Sequence, residues 1–184
     1  SLVLYMRKNV FKIIFIIVLM FLIKDLVIGI LITYENKKEV ESYYNNDTSF
    51  NYKSNLVLNI PSINLDLVVK KANGDFSNLD KNLVYYKRNY FHDKIIIFGH
   101  SGLGYGTFFN RLDELNKNDK AYLYKDKNKA IYEVTDTYYV SYKDVYILNN
   151  DEKGTLLLVT CKKNDKSLRL VVKLSLKSIK TLTK

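Results

Sequence analysis

From Leu56 onward the chain is cut into short runs of apolar and β-branched residues, each closed by Asn, Asp, Gly or Lys, and this punctuation restricts the segment to an all-β fold. "LVLNIPSINLDLVVK" sets Leu58, Ile60, then Ile63, Leu65 and Leu67 at alternate positions, with Pro61 marking a break or an edge. "KIIIFG", "KAYLYK", "KAIYEVTDTYYVSY", "DVYIL", "TLLLVTC" and "LRLVVKLSL" read as further strands. One helix is expected near "FFNRLDEL", where Phe108, Leu112 and Leu115 share a face. Six to eight strands with so little helix point to a β-barrel or a sandwich. The sequence carries no internal repeat, no Gly-rich phosphate loop and no cluster of metal ligands.

Before this comes a segment of another kind. Residues 13–33 are apolar except for Lys24 and Asp25, and 21 residues suffice to cross a bilayer as a helix. Each charge costs about 2.5 to 3.5 kcal/mol at a helix centre, partly offset where opposite charges are adjacent and a Lys stem can snorkel. Arg7, Lys8 and Lys12 precede the run, so the positive-inside rule puts residues 1–12 in the cytoplasm and the remainder outside the cell membrane. A cleaved signal peptide is the competing reading, but the run is long for one and no A-x-A-like site follows it. Met6 reads as a natural start. Residues 34–55 are polar and rich in Asn, Ser and Lys, which suggests a stalk, and residues 56–184 form the folded domain.

The chain has a formal charge of +10, unevenly placed. Between Glu35 and Cys161 acidic and basic residues balance at 17 each, whereas from Lys162 to the end eight basic residues face one acidic residue, Asp165. A uniformly basic nucleic-acid-binding surface does not fit that distribution. The C-terminal charge is either a solvated face or a patch for an anionic surface polymer. One cysteine excludes an internal disulfide, and two histidines are too few for a structural zinc site.

That cysteine, Cys161, ends "LLLVTC", and His100 ends "IIIFGH" after a glycine that lets the chain turn. Continuous apolar runs mark strands buried on both faces, so both residues emerge from the core at strand ends. Parallel strands would bring them to one rim, where an imidazole could support a thiolate nucleophile. In "LRLVVKLSL" the apolar residues alternate, which assigns Arg169 to the face opposite Leu168 and Leu170. The turn "KKNDKS" suits a hairpin laying Arg169 beside the cysteine strand, where a guanidinium could stabilise an oxyanion. Spacing alone favours a small buried cysteine, a boundary histidine and one arginine on a solvated face. His92 is the other possible partner, read as structural because it precedes its strand.

"IIIFGHSG", "TLLLVTC" and an arginine eight residues past the cysteine together resemble the sortase family of cysteine transpeptidases. "NIPSINLDLVV" is similar to that family's first strand, and "GTFFNRLDELNKNDKAYLY" to its stretch after the histidine; the likeness covers about Leu56 to Leu176. The resemblance implies a closed eight-stranded β-barrel with one or two short helices behind an N-terminal transmembrane helix. It implies Cys161 as nucleophile, His100 as general acid, Arg169 as the group that positions substrate and stabilises the oxyanion, and Thr160 as a support of that site. The family's pattern is T-L-x-T-C, and Leu157 stands where the first threonine is expected. The implied partners are secreted proteins with an LPXTG-like sorting signal and an amine from a peptidoglycan precursor or a pilin lysine, with no cofactor, no metal, no nucleic acid and calcium left open. The alternatives are a non-transferring cysteine peptidase of the same fold and a non-catalytic surface-binding β-domain. Within that resemblance, the 61-residue gap from His100 to Cys161 and the short "NNDEKG" link leave no room for the helical insertion of class B and fit class A, C, D or E better, with class A, class D or an unassigned clostridial-type group preferred. "NNDTSFNYKSN" gives a weak version of a class C lid.

Overall fold

The computed structural model describes residues 2–72, 76, 78–86, 91–144, 146 and 152–182. Among them eight strands close into a barrel: β1 (Leu56–Ile60), β2 (Leu65–Lys71), β3 (Leu83–Tyr86), β4 (Ile95–Phe98), β5 (Lys120–Lys125), β6 (Asn128–Ser141), β7 (Thr155–Lys162) and β8 (Asp165–Thr181). Their order around the wall is β1-β2-β3-β4-β7-β8-β6-β5. β2–β3 and β4–β7 are parallel, and the other neighbours are antiparallel. The closed barrel, rather than a sandwich, is what the strand pattern resolves into.

Side-chain alternation divides the wall into two faces. Leu58, Ile60, Ile95, Ile97, Leu123, Tyr132, Leu156, Leu158, Leu170 and Val172 fill the interior. On β4, β7 and β8 the alternate residues Ile96, Leu157, Val159 and Val171 form a second buried cluster on the outside, joined by Phe98, Tyr138 and Val140. Both faces of β4 and β7 are therefore apolar, which explains their unbroken hydrophobic runs. Asn64, Asn118, Asp126 and Asn164 take left-handed backbone angles at turns, as their short polar side chains permit. Pro61 opens a single 3₁₀ turn, Pro61–Ile63, after β1.

The chain departs from the sequence reading at three places. The segment over "FFNRLDEL" is a series of turns with one 3₁₀ turn, Leu112–Glu114, because Phe109 and Leu112 are drawn into the core from separate turns. β3 was not foreseen: four residues are too few to display a period, and it is specified by pairing with β2 and β4. Most of "DVYIL" lies outside the described residues.

The third departure concerns residues 34–55. The N-terminal helix, α1 (Leu2–Tyr44), runs unbroken past the apolar segment, and its last turns pack on the barrel instead of forming a free stalk. Ile32, Asn36, Val40 and Tyr43 are buried at three- and four-residue spacing, a helical stripe. Val40, Tyr43 and Phe50 cluster with Val57, Val68 and Tyr124 on the outer face of β1, β2 and β5. Asn36 Nδ2 donates to the Lys81 carbonyl at 3.1 Å, and Tyr43 Oη to the Asp126 carbonyl at 2.9 Å. Phe50 is thereby committed to the wall opposite β7, so "NNDTSF" makes no lid over Cys161.

Candidate active site

The parallel pairing of β4 with β7 runs Ile95–Leu156, Ile96–Leu157, Ile97–Leu158 and Phe98–Val159, a constant offset of 61 residues. The same offset sets His100 level with Cys161. The two chains stay together beyond the ladder: Gly99 N donates to the Val159 carbonyl at 3.2 Å, and Ser101 Oγ to the Cys161 carbonyl at 2.6 Å. On the other side Cys161 pairs directly with Arg169 of β8, so their Cα atoms lie about 4.5–5.5 Å apart. The connecting turn is only Lys163–Asn164, with Lys162 opposite Asp165.

Parity decides which face these residues share. Counting outward from Ile96 and Phe98, from Leu157 and Val159, and from Val171, the next outer positions are His100, Cys161 and Arg169. The sequence-predicted residues thus form one row across three adjacent strands, directly above the outer apolar cluster. Cys161 is a free, half-buried thiol.

Each neighbour is held by local contacts. His100 Nε2 lies 3.0 Å from Asp80 Oδ1, a partner that sequence reasoning missed. Asp80 belongs to the turn at 78–82, and Gly106 locks that turn in place: with φ +73 it passes so close that a Cβ there would meet the Asp80 carbonyl at 2.0 Å. No local pattern marks Asp80 as functional, because its neighbourhood is created by tertiary packing. Arg169 Nη1 donates to the Lys166 and Leu168 carbonyls at 3.0 and 3.2 Å, and its guanidinium lies 5.9 Å from the Tyr142 ring. Gly99 has a different role from the expected turn: a Cβ there would meet Leu83 and Phe109 at 2.6 and 2.7 Å, so glycine lets Phe109 seal the barrel mouth beneath His100.

Thr160 points inward and is 3% exposed, with no hydrogen-bond partner for its hydroxyl. It helps line a cavity of about 70 Å³ with Ser101, Phe109, Cys161 and Leu170. Leu157, where the family's pattern has threonine, is 3% exposed within the outer cluster, so hydrocarbon suits its surroundings. The His92 backbone carbonyl accepts a hydrogen bond from Gly154 N at 2.7 Å. The C-terminal lysines are partly neutralised: Lys163 reaches Asp113 at 2.9 Å and Lys173 reaches Glu152 at 2.6 Å. Among the described residues no group of three His, Cys, Asp or Glu side chains is arranged to hold a metal.

The sortase domain model matches residues 58–177, the whole barrel apart from its first two residues and the end of β8. The chain belongs to the sortase family. A sortase A of Bacillus anthracis is 31% identical over 122 residues, covering 62% of this chain and 56% of that protein, so this sortase matches little more than half of its relative's length. A solved sortase A of Listeria monocytogenes superposes with a TM-score of 0.64 at 24% identity, covering 71% of this chain and 92% of that one. A Clostridium perfringens sortase D5 transpeptidase gives 0.59 at 20% identity, covering 79% and 95%. These structural likenesses establish the sortase barrel.

Proposed function

We propose that this sortase is a membrane-anchored cysteine transpeptidase that cleaves an LPXTG-like sorting signal and joins the acyl product to an amine. The observation that carries the reading is the His100–Cys161–Arg169 row on the outer face of β4, β7 and β8. His100 takes the Cys161 proton, and the thiolate sulfur attacks the carbonyl carbon of the Thr–Gly peptide bond. The oxyanion that forms is stabilised by Arg169, whose guanidinium exchanges a hydrogen bond to its own turn for one to the substrate oxygen. As the C–N bond breaks, His100 gives its proton to the departing glycine amine, leaving a thioester on Cys161. The amine of a peptidoglycan precursor or a pilin lysine then attacks this thioester, passes a proton to His100 and regenerates the thiolate.

In this scheme Asp80 orients the imidazole, and Thr160 supports the cysteine from the barrel interior without touching substrate. No cofactor takes part. The anchor is α1: it is long and apolar enough to cross a membrane, and the large apolar side chains from Val10 to Val27 are exposed. With the basic residues 7, 8 and 12 inside, the barrel stands on the extracellular side.

Incubation of the protein with a sorting-signal peptide library and several amines, read by mass spectrometry, tests reaction and substrate together. Ligated product is expected. Cleavage without ligation would make the protein a peptidase of the same fold, and no cleavage at all would favour a binding domain.

A further inference from the structure

The loop that follows His100 lies against the N-terminal helix at a telling height. A Cβ placed on Gly29 would sit 3.5 Å from Tyr105 Cβ, so helix and loop are in van der Waals contact. Gly29 lies within the apolar run that ends at Thr33, about 6 Å below its upper limit at 1.5 Å per residue. Leu103, at the loop's tip, is fully exposed, and Tyr105 is 42% exposed. Between helix and loop opens a mainly apolar cleft of about 800 Å³, lined by Leu26, Ile30 and Tyr34 on one side and by Tyr105 and Phe108 on the other.

Resting on the reading of α1 as a membrane anchor, we propose that the loop 102–108 is seated in the outer leaflet of the bilayer, with phospholipid acyl chains filling this cleft. A bilayer core of about 30 Å takes up the 21 residues 13–33, which puts Gly29, and with it the loop, inside the leaflet's upper edge. Tyr34 and Tyr105 flank the cleft at the depth where tyrosines concentrate in membrane proteins. A fully exposed leucine is costly in water and favourable there. The ends of β7 and β8 beside Cys161 carry Lys162 and Lys166, whose charge suits anionic headgroups, while Lys163 between them pairs with Asp113. The His100–Cys161 rim then works at the membrane surface, with its substrate arriving along the bilayer.

The test uses the full chain with Cys161→Ala, bearing a single environment-sensitive label at Leu103→Cys, at Ile17→Cys or at Lys127→Cys, an exposed position in the β5–β6 turn where Asp126 meets Tyr43 at the far end of α1, in phosphatidylcholine–phosphatidylglycerol vesicles. Spin-labelled lipid is expected to quench the label at 103 at least about twofold more than the label at 127, as for a side chain 5–10 Å into the interface. Iodide is expected to quench the two in the reverse order. Equal lipid quenching at 103 and 127, with iodide reaching both and lipid still quenching at 17, would overturn the proposal by making water the cleft's occupant. Loss of lipid quenching at 17 as well would instead overturn the anchor on which it rests.

Discussion

The inner and outer faces of β4, β7 and β8 begin alike and end differently. Along the inside, apolar side chains run from Ile95, Leu156 and Val172 to the barrel mouth, where Gly99 makes room for Phe109. Along the outside the same strands carry Ile96, Leu157, Val159 and Val171, and at the last position change to His100, Cys161 and Arg169. One face is a core throughout; the other is a core that ends in the candidate site residues. Cys161 and Arg169 lie on strands packed on both faces, and His100 follows just after a third, which limits their motion and fixes their order.

Substitutions in the outer row should remove activity and spare the fold. Cys161→Ala is expected to abolish transfer, His100→Ala to reduce it about 10²- to 10⁴-fold, and Arg169→Lys to fail as a rescue because the planar fork is lost. Peptide-ligation rates beside thermal melts check this; a large drop in melting temperature for these variants would erase the contrast between the faces. The inner face should respond in the opposite sense. Leu158→Ala, fully buried, is expected to cost about 2–5 kcal/mol of stability in denaturant unfolding, while the surviving folded fraction keeps its activity.

Leu157→Thr sharpens the comparison, since it restores the family's pattern inside the outer cluster. A hydroxyl without a partner there should cost about 1–3 kcal/mol with no gain in rate, and a gain would mean that threonine serves the site directly. Asp80→Asn tests the support of His100. Its pairing is exposed, and such pairs contribute about 0–1 kcal/mol, so transfer should slow by no more than about fivefold.

The smallest effect concerns pH. The Ser167 hydroxyl and N–H hold the Asp165 carboxyl below its ordinary value in the β7–β8 hairpin, and Arg111 does the same for Glu114. Groups lowered in the folded state add stability above the ordinary carboxylate pKa of about 4 and lose it as pH falls through the folded value. Asp66 acts in the other direction, because burial raises it and its ionisation is relieved on acidification. The melting temperature should therefore fall modestly below about pH 4, and Asp165→Asn should flatten that fall.

Much of the site was legible because it depends on parity and spacing. The alternation around Leu170 assigned Arg169 to the face opposite Leu168 and Leu170, and two continuous apolar runs marked β4 and β7 as strands buried on both faces, which the structure pairs in parallel. Asp80 was not legible, since only the packing of Gly106 on its turn brings it to His100. The docking of α1 was hidden for a related reason: Ile32, Asn36, Val40 and Tyr43 form a stripe that includes a polar residue within a polar segment, and its partner wall is distant in sequence. β3 and the turns around Phe109 likewise take their form from neighbours rather than from local pattern.

Intact-mass analysis of the protein mixed with a sorting-signal peptide and no added amine addresses the outer row most directly. A thioester adduct of the peptide's N-terminal part is expected, mapped to Cys161 and discharged by an amine, and it should be weakened in His100→Ala. A protein that stays unmodified while the peptide is cleaved, or an adduct on any other residue, would contradict the assignment of this row as the active site.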